Sequence, residues 1–493
     1  MRKGIVVAVA LTLVVGAAIA AVPILEAEVA AQIKSEIERD GITKVGKVEV
    51  GLFDRSVALI DLKSAGNGGE QTFGRWEASG LAWPWGEVLR GRTPLAGVRL
   101  GDPLSAHRLE LKDVKLVDQP DGTRLSLQAL TIEGLDLARF STAYQGSFPA
   151  QVWTARALAN LSLRKLEATN LMVGMPGTGD TFGVATAVVD GYARGRIATL
   201  TLNGIEATAK DEPTPLFKVE RLSAEGLDWS RLLTGMAADG WFPGAPVPRV
   251  RVDGASVTGF GGDMLARHGV SLGSISLETS NDGDKVSRSR TRIQGFVLAP
   301  PLRGLQGLQT RLALQTMGLK EVKADLDCAA TEDRGKGEFL FGPCALVGPG
   351  LGQIDFSARF INVDQAFWRA LDDGDVLALN GSAAGLGSAK LVLADKSLLE
   401  RGLKALSTMT GRPVAETRSN LAREIRLFQP SDVLISQDMT KLLDTVARFV
   451  EQGGTLTVDA KPEPPLDIEQ LRAMWRPGAD LVRLLGLTAT LAR

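Results

Sequence analysis

Histidine, cysteine and tyrosine are nearly absent from this 493-residue chain, with two of each. His107, His268, Cys328 and Cys344 stand without metal-ligand spacing, which excludes a typical zinc site. Aromatic residues make up only 5%. Charge of one sign is missing too: 56 basic residues face 57 acidic ones. That balance leaves no electrostatic footprint for nucleic acid. Catalytic motifs are equally thin. Gly269-Val270-Ser271-Leu272-Gly273 matches a nucleophile elbow in letters, but both histidines precede Ser271, and a strand rather than a helix is expected after it. Gly41 to Lys47 approximates a phosphate loop, with Val48 where a hydroxyl must hold Mg²⁺. Asp372-Asp373-Gly374-Asp375 clusters carboxylates without the spacing or distal Glu of a Ca²⁺ loop, and reads as a solvated turn. No cofactor, metal or enzymatic activity is expected.

What is present begins with an uncharged run from Gly4 to Leu25 behind Met1-Arg2-Lys3. Its length, about 33 Å as a helix, suffices to cross a hydrocarbon core of ~30 Å. The basic start keeps the N-terminus cytoplasmic and puts the body across the membrane. Ala18-Ile19-Ala20 would suit a signal peptidase, but the run is longer than a signal core and flows into a further helical pattern. Leu25, Val29, Ile33 and Ile37 recur every fourth residue, Lys34 and Glu38 can pair opposite them, and Asp40-Gly41 ends the segment. Residues 1–25 are therefore expected as cytoplasmic stub and transmembrane anchor, and residues 26–41 as an amphipathic stalk helix.

From residue 42 to 394 the chain returns to short alternating runs, among them Leu109/Leu111, Leu125/Leu127, Leu200/Leu202, Val250/Val252, Leu312/Leu314, Phe339/Phe341, Ile354/Phe356 and Leu391/Leu393. Period two marks half-buried strands. Asp121-Gly122, Asn203-Gly204, Asp253-Gly254 and Asp282-Gly283 read as turns between them, so antiparallel meanders are expected. An internal duplication links residues 130–150 with 222–244. Leu130 to Phe140 matches Leu222 to Leu232, and Gly146-Ser-Phe148-Pro149 answers Gly240-Trp-Phe242-Pro243. Each copy predicts a strand ending at Gly-Leu-Asp, with Asp136 or Asp228 capping a short helix. Trp83-Pro84-Trp85 offers two indoles for a membrane or partner contact. Residues 395–493 read as mainly helical: Ser397–Thr410, Val414–Phe428, Lys441–Gln452 and a helix near Ile468–Met474, with one strand at Thr455–Ala460. The fold class is α+β.

Cys328 and Cys344 are expected to be bonded. Two facing strands around Thr331 to Gly337 form a hairpin centred on Lys336 that sets the pair opposite each other, and export favours oxidation.

The anchor Gly4–Leu25, the helix to Asp40, the opening strands Val45 to Leu62 and the repeated strand-Gly-Leu-Asp units resemble the AsmA-like and TamB-like proteins of bacterial envelopes, and the YdgA-like group. The resemblance implies an inner-membrane, single-pass protein with a periplasmic β-rich body. Its ligand would be phospholipid or another hydrophobic molecule held on a β groove, in envelope lipid transport or outer-membrane biogenesis, with other envelope proteins as further partners. The other reading is a ligand-free envelope scaffold.

Overall fold

A computed structural model describes residues 22–66, 69–82, 99–117, 122–210, 212, 214–239, 250–282, 285–300, 304–373, 375, 378–428, 436–467, 470 and 480–493. The expected anchor falls outside these residues except for its last four positions, as do Trp83 and Trp85. Among the described residues no helix is long and apolar enough to cross a membrane.

The chain forms two units, residues 1–216 with 221–243, and residues 217–220 with 244–493. In the first, β1 (Thr43–Gly51), β2 (Ser56–Gly66), β3 (Gly69–Ser79), β4 (Leu104–Val117), β5 (Arg124–Leu137), β6 (Leu161–Gly174), β7 (Thr181–Ala193) and β8 (Arg196–Thr208) pair in sequence order as an antiparallel meander. β9 (Phe217–Asp228) has its first four residues in the second unit.

The apolar residues of these strands come in doublets. β4 carries Leu104/Ala106, Leu109/Leu111 and Val114/Leu116; β5 carries Leu125/Leu127, Leu130/Ile132 and Leu135/Leu137. Steps of two keep a side chain on one face, but the step of three between doublets would turn the next one over. Left-handed residues inside the strands prevent that. Asp61, Asp113, Asn170 and Gly204 form one such row on alternate strands, and Gly134, Gly191 and Gly226 a second. The ladder skips at these points, for example between Val184↔Ile205 and Thr186↔Asn203. At each skip the pairing resumes in unchanged register, so both strands pass the left-handed residue and its opposite number together and the next doublets return to the same face. Asn203-Gly204 is accordingly no turn: it lies within β8. One face thus collects the apolar doublets, with Val114, Leu127 and Ala168 at the centre of one cluster. Ion pairs accompany the remaining positions, including Arg75–Glu77, Lys112–Glu110 and Arg164–Glu133.

Helix 22–37 is not a free stalk. Val29 and Ile33 are buried with Val45, Val57, Leu59 and Ala78, because an apolar stripe needs an apolar partner and the sheet end supplies one. Each such side chain contributes about 1.5–3 kcal/mol. Lys34 and Glu38 do not pair as expected. The Lys34 ammonium donates to the Gly46 carbonyl at 3.1 Å, and Glu38 accepts the Val45 N–H at 3.0 Å.

In the second unit β10 (Gly254–Gly261), β11 (Val270–Ser271), β12 (Ser274–Asp282), β13 (Val286–Leu298), β14 (Val322–Asp333), β15 (Glu338–Gly348), β16 (Gly352–Ile361), β17 (Gly385–Asp395), β18 (Thr455–Ala460), β19 (Leu466–Asp467) and β20 (Leu487–Ala492) are again antiparallel. Three corrections to the sequence reading arise here. Leu312 and Leu314 belong to a helix, Leu305–Thr316, where Leu305, Leu308 and Leu312 follow helical spacing. Val250 and Val252 precede β10 rather than forming a strand. Residues 395–493 are mainly helical as expected but hold more strand than the one expected: after helices Leu398–Thr410, Val414–Arg426 and Gln437–Gln452, the strands β18 to β20 continue the sheet from β17. The helix expected near Ile468–Met474 lies almost wholly outside the described residues.

Candidate functional site

A run of partly open apolar side chains in the second unit starts from the two cysteines. Cys328 and Cys344 are bonded and directly opposite in the β14–β15 ladder. The hairpin end is held by Asp333, which accepts the Lys336 N–H at 2.9 Å. From that end the register pairs Asp333 with Glu338, and uninterrupted counting would set Cys328 against Pro343. A bulge in β15 between Phe341 and Cys344 shifts the ladder by one and brings the thiols together.

The same bulge keeps Phe341 on the face of Cys344 despite their odd spacing. Two rows then cross the strands on that face. One runs Leu326, Leu346, Ile354, Leu393, Leu456; the other runs Cys328, Cys344, Phe356, Leu391, Val458. Helix Gln365–Asp373 closes one end, packing Phe367 and Trp368 against Phe339 and Phe360. Toward the other end, Leu398, Leu399 and Phe449 from two C-terminal helices join Met317, Leu346, Ile354 and Leu393 around a crevice of ≈ 420 Å³. Between these walls the floor stays exposed: Phe341 39%, Phe356 39%, Leu346 41% and Ile354 37%. The Phe341 and Phe356 rings touch at 6.0 Å between centroids. An open face of this kind attracts apolar ligands through area alone.

A polar chamber of ≈ 430 Å³ adjoins helix Gln365–Asp373, lined among others by Lys285, Ser287, Ser289, Glu332, Arg334 and Asp372. Arg334 makes a two-pronged contact with Asp372, at 3.1 and 2.8 Å, and stands 3.7 Å from Glu332. Its guanidinium lies 5.1 Å from the Trp368 ring centroid. Donating to the Asp372 carboxylate raises the Arg334 pKa further, so the group is permanently cationic. Asp372, expected in a solvated turn, is buried at 8% exposure because Arg334 pairs with it. Among the described residues no cluster of His, Cys, Asp or Glu could hold a metal ion.

Of the candidate site residues read from sequence, the cysteine pair lies in this site and Asp372 in the adjoining chamber, while Trp83 and Trp85 fall outside the described residues. Asp228 sits in the first unit, where its carboxylate accepts the Ser230 N–H at 3.0 Å and hydroxyl at 2.6 Å, at the start of helix Ser230–Asp239. Asp136 does not cap: it is paired within β5, and helix Pro149–Asn160 begins with Pro149 and no side-chain cap. The two copies place their helices differently relative to Gly-Leu-Asp. The helices nevertheless pair, with Arg156 donating to the Ala237 carbonyl at 2.9 Å. Ser271 follows a helix and its Gly269 cap, not a strand, so it forms no elbow.

A family model described as "Uncharacterized protein" matches residues 345–491, less than a third of the chain. The matched stretch carries Leu346, Ile354, Phe356 and Leu393 with the helices around the crevice. No curated protein matches the chain.

Proposed function

We propose that this is a non-enzymatic, membrane-anchored envelope protein that binds lipid or another hydrophobic ligand on the apolar face of its second unit. The observation that carries the proposal is the exposed floor of Leu346, Ile354, Phe341 and Phe356 running into the apolar crevice. A folded protein rarely leaves such a floor open without an occupant. The disulfide supports a body exported to an oxidising compartment, as the basic start and apolar run of the N-terminus also suggest. On this reading the N-terminus is cytoplasmic, the body periplasmic, and the role is lipid movement or outer-membrane biogenesis, in line with the AsmA-like resemblance. The scaffold reading has one observation in its favour: helix Leu305–Thr316 exposes Leu305, Leu308 and Leu312 at 74%, 44% and 51%. A clickable, photoreactive sixteen-carbon fatty acid offered to the full chain in mild detergent tests the proposal. Labelling should fall on peptides bearing Leu346, Ile354 or Leu393 and vanish in Ile354→Glu. Labelling indifferent to that substitution would refute it.

A further inference from the structure

The polar chamber and the apolar crevice open on the same face of one sheet. Strand β14 shows this directly. Its ladder to β13 is unbroken from Asp327 to Asp333, so Ala324, Leu326, Cys328, Ala330 and Glu332 alternate onto one side. Ala324 lines the crevice and Glu332 lines the chamber. Partners across the ladder agree: Ser287 faces Glu332, Ser289 faces Ala330, and Thr291 faces Cys328. The two cavities are therefore the ends of one trough, apolar at Ala324 and polar at Glu332, with the cysteine pair in its floor. Eight residues of strand span about 26 Å. A membrane lipid, half of a ~40–45 Å bilayer, is roughly 20–22 Å long.

The lining of the chamber says what kind of head would fit. Arg251, Lys285 and Arg334 supply three positive charges, and Asp253, Glu332 and Asp372 three negative ones. Thr279, Asn281, Ser287 and Ser289 add uncharged hydrogen-bonding groups. Arg334 already pairs with Asp372 and lies 3.7 Å from Glu332, so that side keeps one net negative charge, while Arg251 and Lys285 against Asp253 keep one net positive charge. A head carrying both charges has a partner for each.

We infer that the trough binds one zwitterionic phospholipid lengthwise, its phosphate-and-amine head in the chamber at Lys285 and Glu332 and its acyl chain over Phe356 into the crevice. This rests on the groove reading and assigns the ligand class and its direction. The head's phosphate would take the exposed Lys285 and Arg251 side, and its ammonium the Glu332 and Asp372 side. The apolar floor between would cover the chain, and neither end would accept the other's chemistry without burying an unpaired charge.

The test uses the full chain in mild detergent with phosphoethanolamine and phosphoglycerol lipids carrying a diazirine at one acyl terminus, beside the photoreactive fatty acid, which lacks a phosphate-and-amine head. The phosphoethanolamine lipid should label crevice peptides at least fivefold more strongly than the phosphoglycerol lipid at equal concentration. Ser289→Trp, which fills the chamber, and Lys285→Glu, at an exposed position, should each reduce its labelling at least fivefold while leaving fatty-acid labelling unchanged. Equal labelling by the two lipids, tail labels on chamber peptides, or indifference to both variants would overturn the inference with the groove intact. Absence of crevice labelling by all three probes would overturn the groove itself.

Discussion

Gly204 stands opposite Ala185 across β8 and β7 with φ +60°, so close that a β-carbon on Gly204 would meet the Ala185 β-carbon at 2.8 Å. Gly204→Ala should therefore cost about 1–2 kcal/mol from the left-handed backbone, plus the cost of relieving that contact. Asp113→Gly, at a left-handed position already held by a side chain, should be near neutral or slightly stabilising. Chemical denaturation of both variants compares them. Equal stability of Gly204→Ala and the parent would mean the row of left-handed residues does not hold the strand phases.

The Cys328–Cys344 bond closes a loop of 16 residues in sequence separation, worth about 3 kcal/mol in the chain-entropy model. Thiol labelling of the unfolded, unreduced protein should find no reactive cysteine, and Cys328→Ala with Cys344→Ala should lower the denaturation midpoint. Two labelled thiols per chain would contradict both the bond and the argument for export.

Asp228 and Asp136 occupy matching positions of the duplication but should respond differently. Asp228→Ala should cost ~1 kcal/mol through the lost bonds to Ser230, while Asp136→Ala, with no helix to cap, should cost markedly less. Burial pushes the Asp228 carboxyl up, but the Ser230 hydroxyl and N–H and then Arg196 outweigh it, and its pKa is lowered. A lowered folded pKa gives stability that is present above the unfolded value and lost as pH falls through the folded one. Amide-exchange protection factors in helix Ser230–Asp239, taken relative to the intrinsic rate at each pH, should accordingly fall on acidification below the ordinary aspartate range. Asp228→Asn should show a flatter pH response.

Much of the fold is legible in the sequence because most of its strands are amphipathic and its turns polar. The alternating pairs at Leu109, Leu125, Phe339, Ile354 and Leu391 each mark a strand, and the cysteine hairpin follows from its turn. What stays hidden is register. Asn203-Gly204 has the letters of a hairpin turn, and only the ladder on both sides shows it to be a left-handed step within a strand. Likewise Phe341 and Phe356 look like ordinary core residues, since nothing local says that the bulge in β15 brings them onto one open floor. Leu312 and Leu314 satisfy period two by coincidence within a helical pattern. Arg334, Glu332 and Asp372 meet only through tertiary packing, and no motif spacing joins them.

The account stands or falls on whether the open face of the second unit holds lipid. Leu340 and Phe356 are exposed alike, at 37% and 39%, yet lie on opposite faces of the sheet. Quantitative mass spectrometry of lipid per chain in the detergent-purified parent, Leu340→Asp and Phe356→Asp proteins separates lipid bound on this face from lipid held elsewhere on the chain. The parent and Leu340→Asp should retain equal amounts, and Phe356→Asp about one lipid per chain less. Equal lipid in all three proteins would contradict the account.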